Sequence, residues 1–250
     1  MSSKHEFALY VPFLREKITT LNQNLVIDDP QLSMRIGSVL RLQPKEQFVL
    51  FDELMHAKCE LIETSKKAVT CRVLEKINNA ALKPKITFAL PILKKDDFET
   101  ALYSLVELGA NAVQFITTEK VQRSLYGEKE YERCKRIMIS AAEQSKNFAV
   151  PELFLPISLP EYVARISPLK IPKIYFDVDG TSVLECAQSV IAEKPQEIIL
   201  MVGPEGDLTS NEKQLIQNTG FTFCVLTPTV LRSVSALELG LGIFRSVLHL

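Results

Sequence analysis

The chain of 250 residues has few of the side chains that build metal centres and disulfide frameworks. Its three histidines, His5, His56 and His249, lie far apart, so neither a histidine-centred catalytic site nor a metal cluster is expected. Its five cysteines are odd in number, widely spaced and free of any C-x-x-C pair, which argues against a zinc motif and against a disulfide framework. We therefore predict that all cysteines are reduced and that no metal is bound.

Long apolar runs are also missing. No window approaches the roughly 18 to 20 apolar residues of a membrane span, and the first residues, MSSKHEFALYVPFLREK, lack the apolar core and cleavage site of a secretory signal. With 46% hydrophobic and 24% charged residues, the composition is typical of a soluble globular protein. The formal net charge of -1 argues against a general nucleic-acid coat, although a local cluster of cations can still bind phosphates. We expect a cytoplasmic protein without membrane contact.

Two common nucleotide-binding motifs, G-x-x-x-x-G-K-[ST] and G-x-G-x-x-G, are absent as well. The chain instead has two apolar runs close together, each followed by a proline-bearing loop. Ile198 to Val202 ends at Gly203-Pro204-Glu205-Gly206, and Phe221 to Leu226 ends at a loop that reaches Ser233. Ligands of open α/β sheets bind outside the carboxyl ends of strands, so we predict one site between these loops. On these residues alone, a strand-to-helix turn without a ligand is an equal alternative.

The chain is predicted to form two domains. Residues 7–75 contain short apolar segments that read as strands, among them Ser38 to Leu42, with turn-forming residues about every 8 to 12 positions, which is typical of a small β-barrel. Met34, Arg35 and the segment from Ser38 to Pro44 are also expected to add a short helical turn that presents Arg35 and Arg41. After the polar segment Asn78 to Pro84, strands alternate with helices, which indicates a parallel sheet covered on both faces. We place the domains at residues 1–77 and 84–250.

The helix after the second loop carries apolar residues three and four positions apart, which predicts a packing or dimer face. Gly240 and Gly242 within it cost about 1 kcal/mol each relative to alanine, and this cost suggests close approach of another backbone. Earlier in that region, Thr209 and Glu212 form the T-x-x-E pattern of a helix capping box.

Several short motifs occur together along most of the chain. The C-terminal pair is L-M-V-G-P-E-G with L-T-P-x-V-L-R-x-x-x-A-L, and upstream lie V-L-R-L, A-L-P, E-L-G, T-E-K with R-S, and A-A-E-Q-S. In this combination and order the sequence resembles the RsmE family of 16S ribosomal RNA uridine N3-methyltransferases, within the SPOUT superfamily. The resemblance implies an α/β fold with an N-terminal PUA-like β-barrel and a C-terminal SPOUT domain with a deep trefoil knot. It also implies S-adenosylmethionine (SAM) as cofactor, small-subunit ribosomal RNA as partner, and a homodimer.

The same resemblance assigns residues to roles. Arg232 is expected to handle the target nucleotide and Glu205 to accept a proton or fix its loop. The residues expected around the cofactor are Asp177, Val178, Val202, Gly203, Pro204, Glu205, Gly206, Leu226, Val230, Leu231, Arg232 and Ala236. Those expected to contact RNA are Arg35, Arg41, Arg123, Arg133, Arg136, Glu143 and Gln144. For any single arginine, a solvated surface position is the alternative to phosphate contact.

Several positions differ from the family pattern, and Met34-Arg35 stand in place of a histidine pair before V-L-R-L. Asp207 replaces the second glycine of a glycine pair, Thr229 an arginine, Val234 a glutamate and Ser104 a lysine. The cofactor loops thus keep the pattern better than the polar groups expected near the acceptor. We predict SAM-dependent methylation of N3 of a uridine in 16S ribosomal RNA. The alternatives are methylation of another RNA nucleoside, or an RNA-binding or ribosome-assembly factor with impaired catalysis.

Overall fold

The computed structural model describes residues 6–121 and 127–248, and these form two units. The first unit is built from the described residues up to Ala80 together with Ala142–Ala149. The second is built from Ala81–Ala141 and the described residues after Ala149. The segment Ala142–Ala149 therefore belongs to the first unit, although the sequence-based limits include it in the second domain.

The first unit has a five-stranded sheet in the order β1-β3-β4-β5-β2, in which β1 is parallel to β3 and the other pairs are antiparallel. Alternate residues of β4 are buried, as expected for a strand with one face on a core. The core includes the buried rings of Phe48 and Phe51. The strands are β1 Ala8–Tyr10, β2 Asn24–Ile27, β3 Gln47–Phe51, β4 Met55–Thr64 and β5 Val69–Asn78.

The segment Ser38 to Leu42 was predicted both as a short strand and, with Met34 and Arg35, as part of a short helical turn. The strand is wrong and the helical turn is confirmed. The segment begins in a π-helical turn, Arg35–Val39, that continues directly from helix α2, Pro30–Met34. Asp29 caps α2, since its carboxylate accepts the N–H groups of Gln31 and Leu32, and proline suits the first helical position. The start signal was therefore present in the sequence as Asp29-Pro30. The other helix of this part of the chain is α1, Leu14–Lys17.

The second unit contains a parallel seven-stranded sheet in the order β10-β12-β9-β11-β6-β7-β8. This confirms the predicted α/β fold. The strands are β6 Lys85–Pro91, β7 Ala112–Thr117, β8 Glu152–Ser158, β9 Lys173–Asp177, β10 Thr181–Ser182, β11 Glu197–Val202 and β12 Phe221–Val225. The helices are α3 Lys95–Glu107, α4 Glu128–Ser145, α5 Leu159–Ile166, α6 Val183–Glu193, α7 Ser210–Asn218 and α8 Ser233–Leu248.

Helices cover both faces of this sheet. Tyr175 and Phe176 are neighbours on β9 and therefore point to opposite faces. Tyr175 belongs to a core that includes residues of α5 and α7, whereas Phe176 packs against Phe244 of α8. Helix α8 also contacts α3 and α6. None of the helices in residues 6–121 and 127–248 is long and apolar enough to cross a membrane.

Two local predictions in this unit have different outcomes. The capping box is confirmed, because the Thr209 hydroxyl accepts the N–H of Glu212 while the Glu212 carboxylate accepts the N–H of Thr209. The prediction that another backbone approaches Gly240 is wrong, since a Cβ added there would overlap the ring of Phe176. The glycine makes room for an aromatic side chain.

Strand β8 and helix α5 were not predicted from the sequence. Their sequence carried one usable signal: Ser158 caps α5 by accepting the N–H of Glu161, with Pro160 in the first turn. Strand β8 is an edge strand whose residues are partly or fully exposed, so it lacks a regular apolar pattern.

Candidate functional site: a cavity at the carboxyl edge of the parallel sheet

Three loops meet at one edge of the second sheet because they follow three adjacent parallel strands. Strands β12, β9 and β11 lie side by side in that order. The loops after them begin at Leu226, Val178 and Gly203, respectively. Parallel strands place their carboxyl ends at the same edge, which is where ligands of open α/β sheets bind.

A cavity of about 510 Å³ lies among these loops, within the usual range for small-molecule sites. All the predicted cofactor residues except Gly206 line it: Asp177, Val178, Val202, Gly203, Pro204, Glu205, Leu226, Val230, Leu231, Arg232 and Ala236. The structure therefore brings together residues that are up to 59 positions apart in the sequence, from 177 to 236. Gly206 does not line the cavity, although both of its sequence neighbours do. Its carbonyl accepts a hydrogen bond from Lys120 Nζ at 2.8 Å.

Other lining residues were not selected from the sequence. Lys94 and Asp97 reach the cavity from the segment after β6, which is the neighbour of β11. Because that neighbourhood depends on strand order, no local motif could have indicated it. A signal did exist for Tyr175 and Phe176, which immediately precede Asp177 on the same strand. The remaining additions are Asp207, Thr227, Thr229 and Ser233.

Gly203 allows the loop after β11 to pass close to β9. A Cβ added there would lie 2.7 Å from the Tyr175 hydroxyl oxygen and 3.2 Å from Asp207 Oδ1. Such distances are too short for an unstrained contact, so any larger residue must displace the loop or the tyrosine. This wall of the cavity is therefore formed by backbone at close range, as suits a ligand held through amide and carbonyl groups.

Glu205 and Arg232 both line the cavity and have different surroundings. Glu205 Oε1 accepts the N–H of Lys94 at 2.8 Å, which joins the loop after β11 to the start of α3. The guanidinium of Arg232 is exposed and has no hydrogen-bond or ion-pair partner among the described residues. Its donors are therefore free to bind a ligand.

An ion-pair network lies at the base of the same loops. Lys213 Nζ is 2.8 Å from Asp177 Oδ2 and 2.8 Å from Asp207 Oδ2, and the Tyr175 hydroxyl donates to Asp207 Oδ1 at 3.1 Å. Burial alone would raise the pKa of Asp207, but hydrogen bonds from Lys213 and the Leu208 N–H lower it below its ordinary value. Burial, with the nearby acidic groups, raises the pKa of Tyr175 far above its ordinary value. The tyrosine thus stays a neutral donor.

The predicted RNA contacts in the first unit are partly occupied by an ion pair. Arg35 donates to both carboxylate oxygens of Glu143, at 3.0 and 2.6 Å, and the hydrogen bond to Glu143 raises the pKa of Arg35 above its ordinary value. Glu143 also accepts the N–H of Tyr10 at 3.0 Å. Arg41 and Gln144 are exposed.

In the second unit, Arg133 forms an ion pair with Glu99 at 2.6 Å, while Arg136 is exposed and has no side-chain partner among the described residues. Arg123 lies outside the described residues. Within residues 6–121 and 127–248, none of the five cysteines is in a disulfide, and no cluster of three or more His, Cys, Asp or Glu is placed to hold a metal ion.

Comparison with known proteins connects this geometry to RNA modification. The family described as an RNA methyltransferase domain matches residues 81–244. The ribosomal RNA small subunit methyltransferase E of Mesomycoplasma hyopneumoniae is 31% identical over 179 residues, which cover 70% of this chain and 75% of that protein. The corresponding protein of Bacillus subtilis is 30% identical over 210 residues, covering 80% of this chain and 82% of the relative.

Two solved structures with bound SAM have the same fold. A methyltransferase from Legionella pneumophila superposes with a TM-score of 0.81 at 25% identity, covering 97% of this chain and 98% of the other. The ribosomal RNA small subunit methyltransferase E from Neisseria gonorrhoeae, bound to S-adenosyl methionine, gives the same TM-score, identity and coverage. The likeness therefore extends over both units of the chain.

Proposed function

The chain belongs to the ribosomal RNA small subunit methyltransferase E family and is a SAM-dependent ribosomal RNA methyltransferase, and we propose that its acceptor is N3 of a uridine in 16S ribosomal RNA. The observation that carries the proposal is the cavity at the carboxyl edge of β9, β11 and β12. It is lined both by Gly203 in the loop after β11 and by Arg232. We assign the cofactor to this cavity and the target base to the side of Arg232.

The cavity residues suit SAM. Gly203 lets its loop pack closely against Tyr175, where a Cβ would be 2.7 Å from the hydroxyl oxygen, and the glycine itself lines the cavity. The loops beginning at Val178 and Leu226 supply further backbone groups and apolar side chains such as Leu231. We propose that the predicted cofactor residues that line the cavity surround the cofactor, and that Gly206 acts through the shape of its loop.

When bound, SAM supplies a sulfonium-linked methyl group that is already electrophilic. The chain must therefore align the acceptor nitrogen with that group and help remove the imide proton. We assign Arg232 to stabilise the negative charge that develops on the uracil carbonyl oxygens as the proton leaves. Its unpaired guanidinium supports this role. The N3–methyl bond forms as the sulfur–methyl bond breaks, which leaves a neutral thioether.

Glu205 has two proposed roles. Its Oε1 is engaged by the Lys94 N–H, so the carboxylate fixes the loop after β11. Glu205 is also a carboxylate that lines the cavity, so it is a candidate to accept the proton. We propose the loop-fixing role as the first and the proton acceptor as the second.

The RNA would be bound by cationic side chains that have no acidic partner. Arg41 and Arg136 meet this condition among the described residues, whereas Arg35 and Arg133 are paired with Glu143 and Glu99. Phosphate contacts position a protein on RNA without reading the sequence. We therefore propose Arg41 and Arg136 as primary phosphate contacts, with Gln144 as a further RNA-binding residue.

We propose that the chain has a PUA-like barrel over residues 1–77 and a SPOUT domain over residues 84–250. We also propose a trefoil knot within the SPOUT domain. The barrel is supported by the five-stranded sheet of the first unit. The knot is supported by strand order, because β11 lies between β9 and β6 while β12 lies outside β9. Helix α8 then returns to contact β11 and α3.

We also propose a homodimer in the cytoplasm, the compartment in which a bacterial ribosomal RNA would be modified. Large apolar side chains are exposed in the cavity loops and on helices α6 and α8, and exposed apolar side chains of this kind support a protein interface. They are Val178, Leu184, Ile191, Val230 and Leu239, with exposed fractions of 50%, 65%, 43%, 81% and 38%.

Mass spectrometry of nucleosides from 16S ribosomal RNA tests the proposed acceptor. The full-length protein is incubated with methyl-labelled SAM and with unmodified 16S ribosomal RNA, as free RNA and as assembled subunits. We expect label in 3-methyluridine and loss of that nucleoside in a deletion strain. Label in another nucleoside would support the alternative target. If the protein fails to bind SAM at millimolar concentration in calorimetry, the factor with impaired catalysis is supported instead.

A further inference from the structure

Lys213 joins two cavity-lining loops although it does not line the cavity itself. It lies on α7, and its ammonium group contacts Asp177 at the end of β9 and Asp207 in the loop after β11. Both aspartates line the cavity. One lysine therefore connects two of the three loops that form the site.

Each aspartate is also fixed to its own loop. Asp177 Oδ1 accepts the N–H of Val178 at 2.7 Å, and Asp207 Oδ1 accepts the N–H of Leu208 at 2.8 Å. In both cases the other carboxylate oxygen is the one that contacts Lys213. A shift of the lysine therefore transmits directly to the backbone of both loops.

Asp207 needs these contacts to hold its conformation. Its φ is 57°, in the left-handed region that residues with a Cβ rarely adopt, although aspartate tolerates it better than most. Such conformations persist when the surroundings fix them. Here the surroundings are the Tyr175 hydroxyl, the Leu208 N–H and Lys213, all on the one carboxylate.

The lysine also compensates two negative charges. The Asp177 side chain is 8% exposed and the Lys213 side chain 27%, so removal of the cation would leave a buried carboxylate beside a second one. Burial alone would lower the pKa of Lys213, but hydrogen bonds to Asp177 and Asp207 raise it above its ordinary value. The two ion pairs therefore favour the charged form of the lysine.

We propose that Lys213 is a positioning residue for the cofactor, which sets SAM affinity by bridging Asp177 and Asp207 and so holding two cofactor loops at a fixed spacing. The proposal rests on the proposed cofactor site. It does not place Lys213 in contact with the cofactor or with the target base. It predicts that the lysine affects the binding of SAM more than the chemical step.

Calorimetric titration of SAM into the full-length protein and its Lys213→Met variant tests the proposal. Loss of the bridge should weaken SAM binding by about tenfold, because the buried Asp177 carboxylate loses its partner and the loops lose their connection. Methyl transfer at saturating SAM should stay within about threefold of the wild type, since the reacting groups are retained. The matched control is Lys85→Met, which breaks the exposed Lys85–Glu197 pair between β6 and β11 and should leave SAM affinity unchanged.

Two further variants separate positioning from a general loss of folding. Lys213→Arg keeps a cation that can contact both carboxylates and should bind SAM within about threefold of the wild type. In the Lys213→Met background, Asp207→Gly removes one uncompensated charge and suits the left-handed φ, so it should recover part of the affinity. Recovery identifies the bridge as the cause of the loss.

Several results would overturn the inference. Wild-type affinity, or tighter binding, in Lys213→Met would show that the bridge does not support the cofactor loops. A loss of methyl transfer that saturating SAM does not restore would place the effect in catalysis. Failure of Asp207→Gly to improve the Lys213→Met variant would contradict the bridge as well. If the wild type itself does not bind SAM, the proposed cofactor site fails rather than this inference.

Discussion

The cavity proposed for the cofactor and the arginines proposed to contact RNA differ in what determines their geometry. The cavity is formed by loops at the ends of adjacent strands, and Gly203 places backbone where no side chain fits. The predicted RNA contacts are long side chains whose state depends on neighbours: Arg35 is paired with Glu143, whereas Arg41 is exposed. A backbone-built site is specified locally by glycine, proline and strand ends, while a side-chain surface is specified by residues distant in sequence.

The largest expected effect tests whether Arg232 acts on the target base and leaves cofactor binding to the rest of the cavity. Arg232→Ala should reduce methyl transfer by about 10²- to 10³-fold, because the developing negative charge on the base loses its donor. SAM affinity should change by less than about threefold, since the backbone walls remain. Single-turnover methylation and calorimetry measure the two quantities. Arg165→Ala, which removes the exposed Arg165–Glu161 pair, is the control.

Equal losses of transfer and SAM affinity in Arg232→Ala would contradict this division. They would show that Arg232 shapes the cavity rather than acting on the acceptor. Unchanged methyl transfer would show that Arg232 has no part in the mechanism. Glu205, which also lines the cavity, would then be the remaining candidate for a catalytic residue.

The next effect tests the backbone wall. Gly203→Ala should weaken SAM binding by about 10- to 100-fold, because the added methyl meets the Tyr175 hydroxyl and overpacking costs about 1 to 3 kcal/mol. Calorimetric titration measures it. Gly242→Ala is the control, since its added Cβ would be 4.0 Å from Leu108 in ordinary contact. A Gly203→Ala variant with wild-type affinity would show that SAM does not depend on this wall.

For the second sheet, the positions of strands along the chain were easier to predict from the sequence than the order in which the strands lie side by side. Apolar runs followed by loops with glycine or proline identified β11 and β12, and with them two of the loops that line the cavity. Strand order could not be predicted this way, because β11 lies between β9 and β6 through contacts that no local pattern records. For that reason Lys94 and Asp97, which approach from the β6 side, were missed.

Pairing between charged side chains was the other part that the sequence could not provide. The A-A-E-Q-S motif drew attention to Glu143, but its ion pair joins positions 35 and 143, which are 108 residues apart. Lys213 had no motif at all, although it contacts both Asp177 and Asp207. The helix that carries it was predicted from its capping box, and the identity of its partners required the tertiary fold.

A smaller effect tests how tightly α8 is packed behind the cavity. Gly240→Ala should lower the free energy of unfolding by about 1 to 2 kcal/mol, because overlap with the Phe176 ring exceeds the gain of about 1 kcal/mol in helix propensity. Gly242→Ala should instead raise it by up to about 1 kcal/mol. Urea unfolding of both variants measures the difference. Equal stabilisation by the two substitutions would mean that Phe176 can move away without cost.

The smallest expected effects distinguish free from paired arginines on the RNA-binding surface. Arg41→Ala and Arg136→Ala should each weaken RNA binding by about 2- to 5-fold and reduce the slope of log affinity against log salt by about 1, since each removes one phosphate contact. Arg35→Ala should leave the slope unchanged and lower stability, because the Glu143 side chain, 12% exposed, loses its partner. Fluorescence anisotropy with a 16S ribosomal RNA fragment across salt concentrations measures the slopes. If Arg35→Ala changes the slope as much as Arg41→Ala does, the ion pair with Glu143 opens when RNA binds, and paired arginines belong to the RNA surface as well.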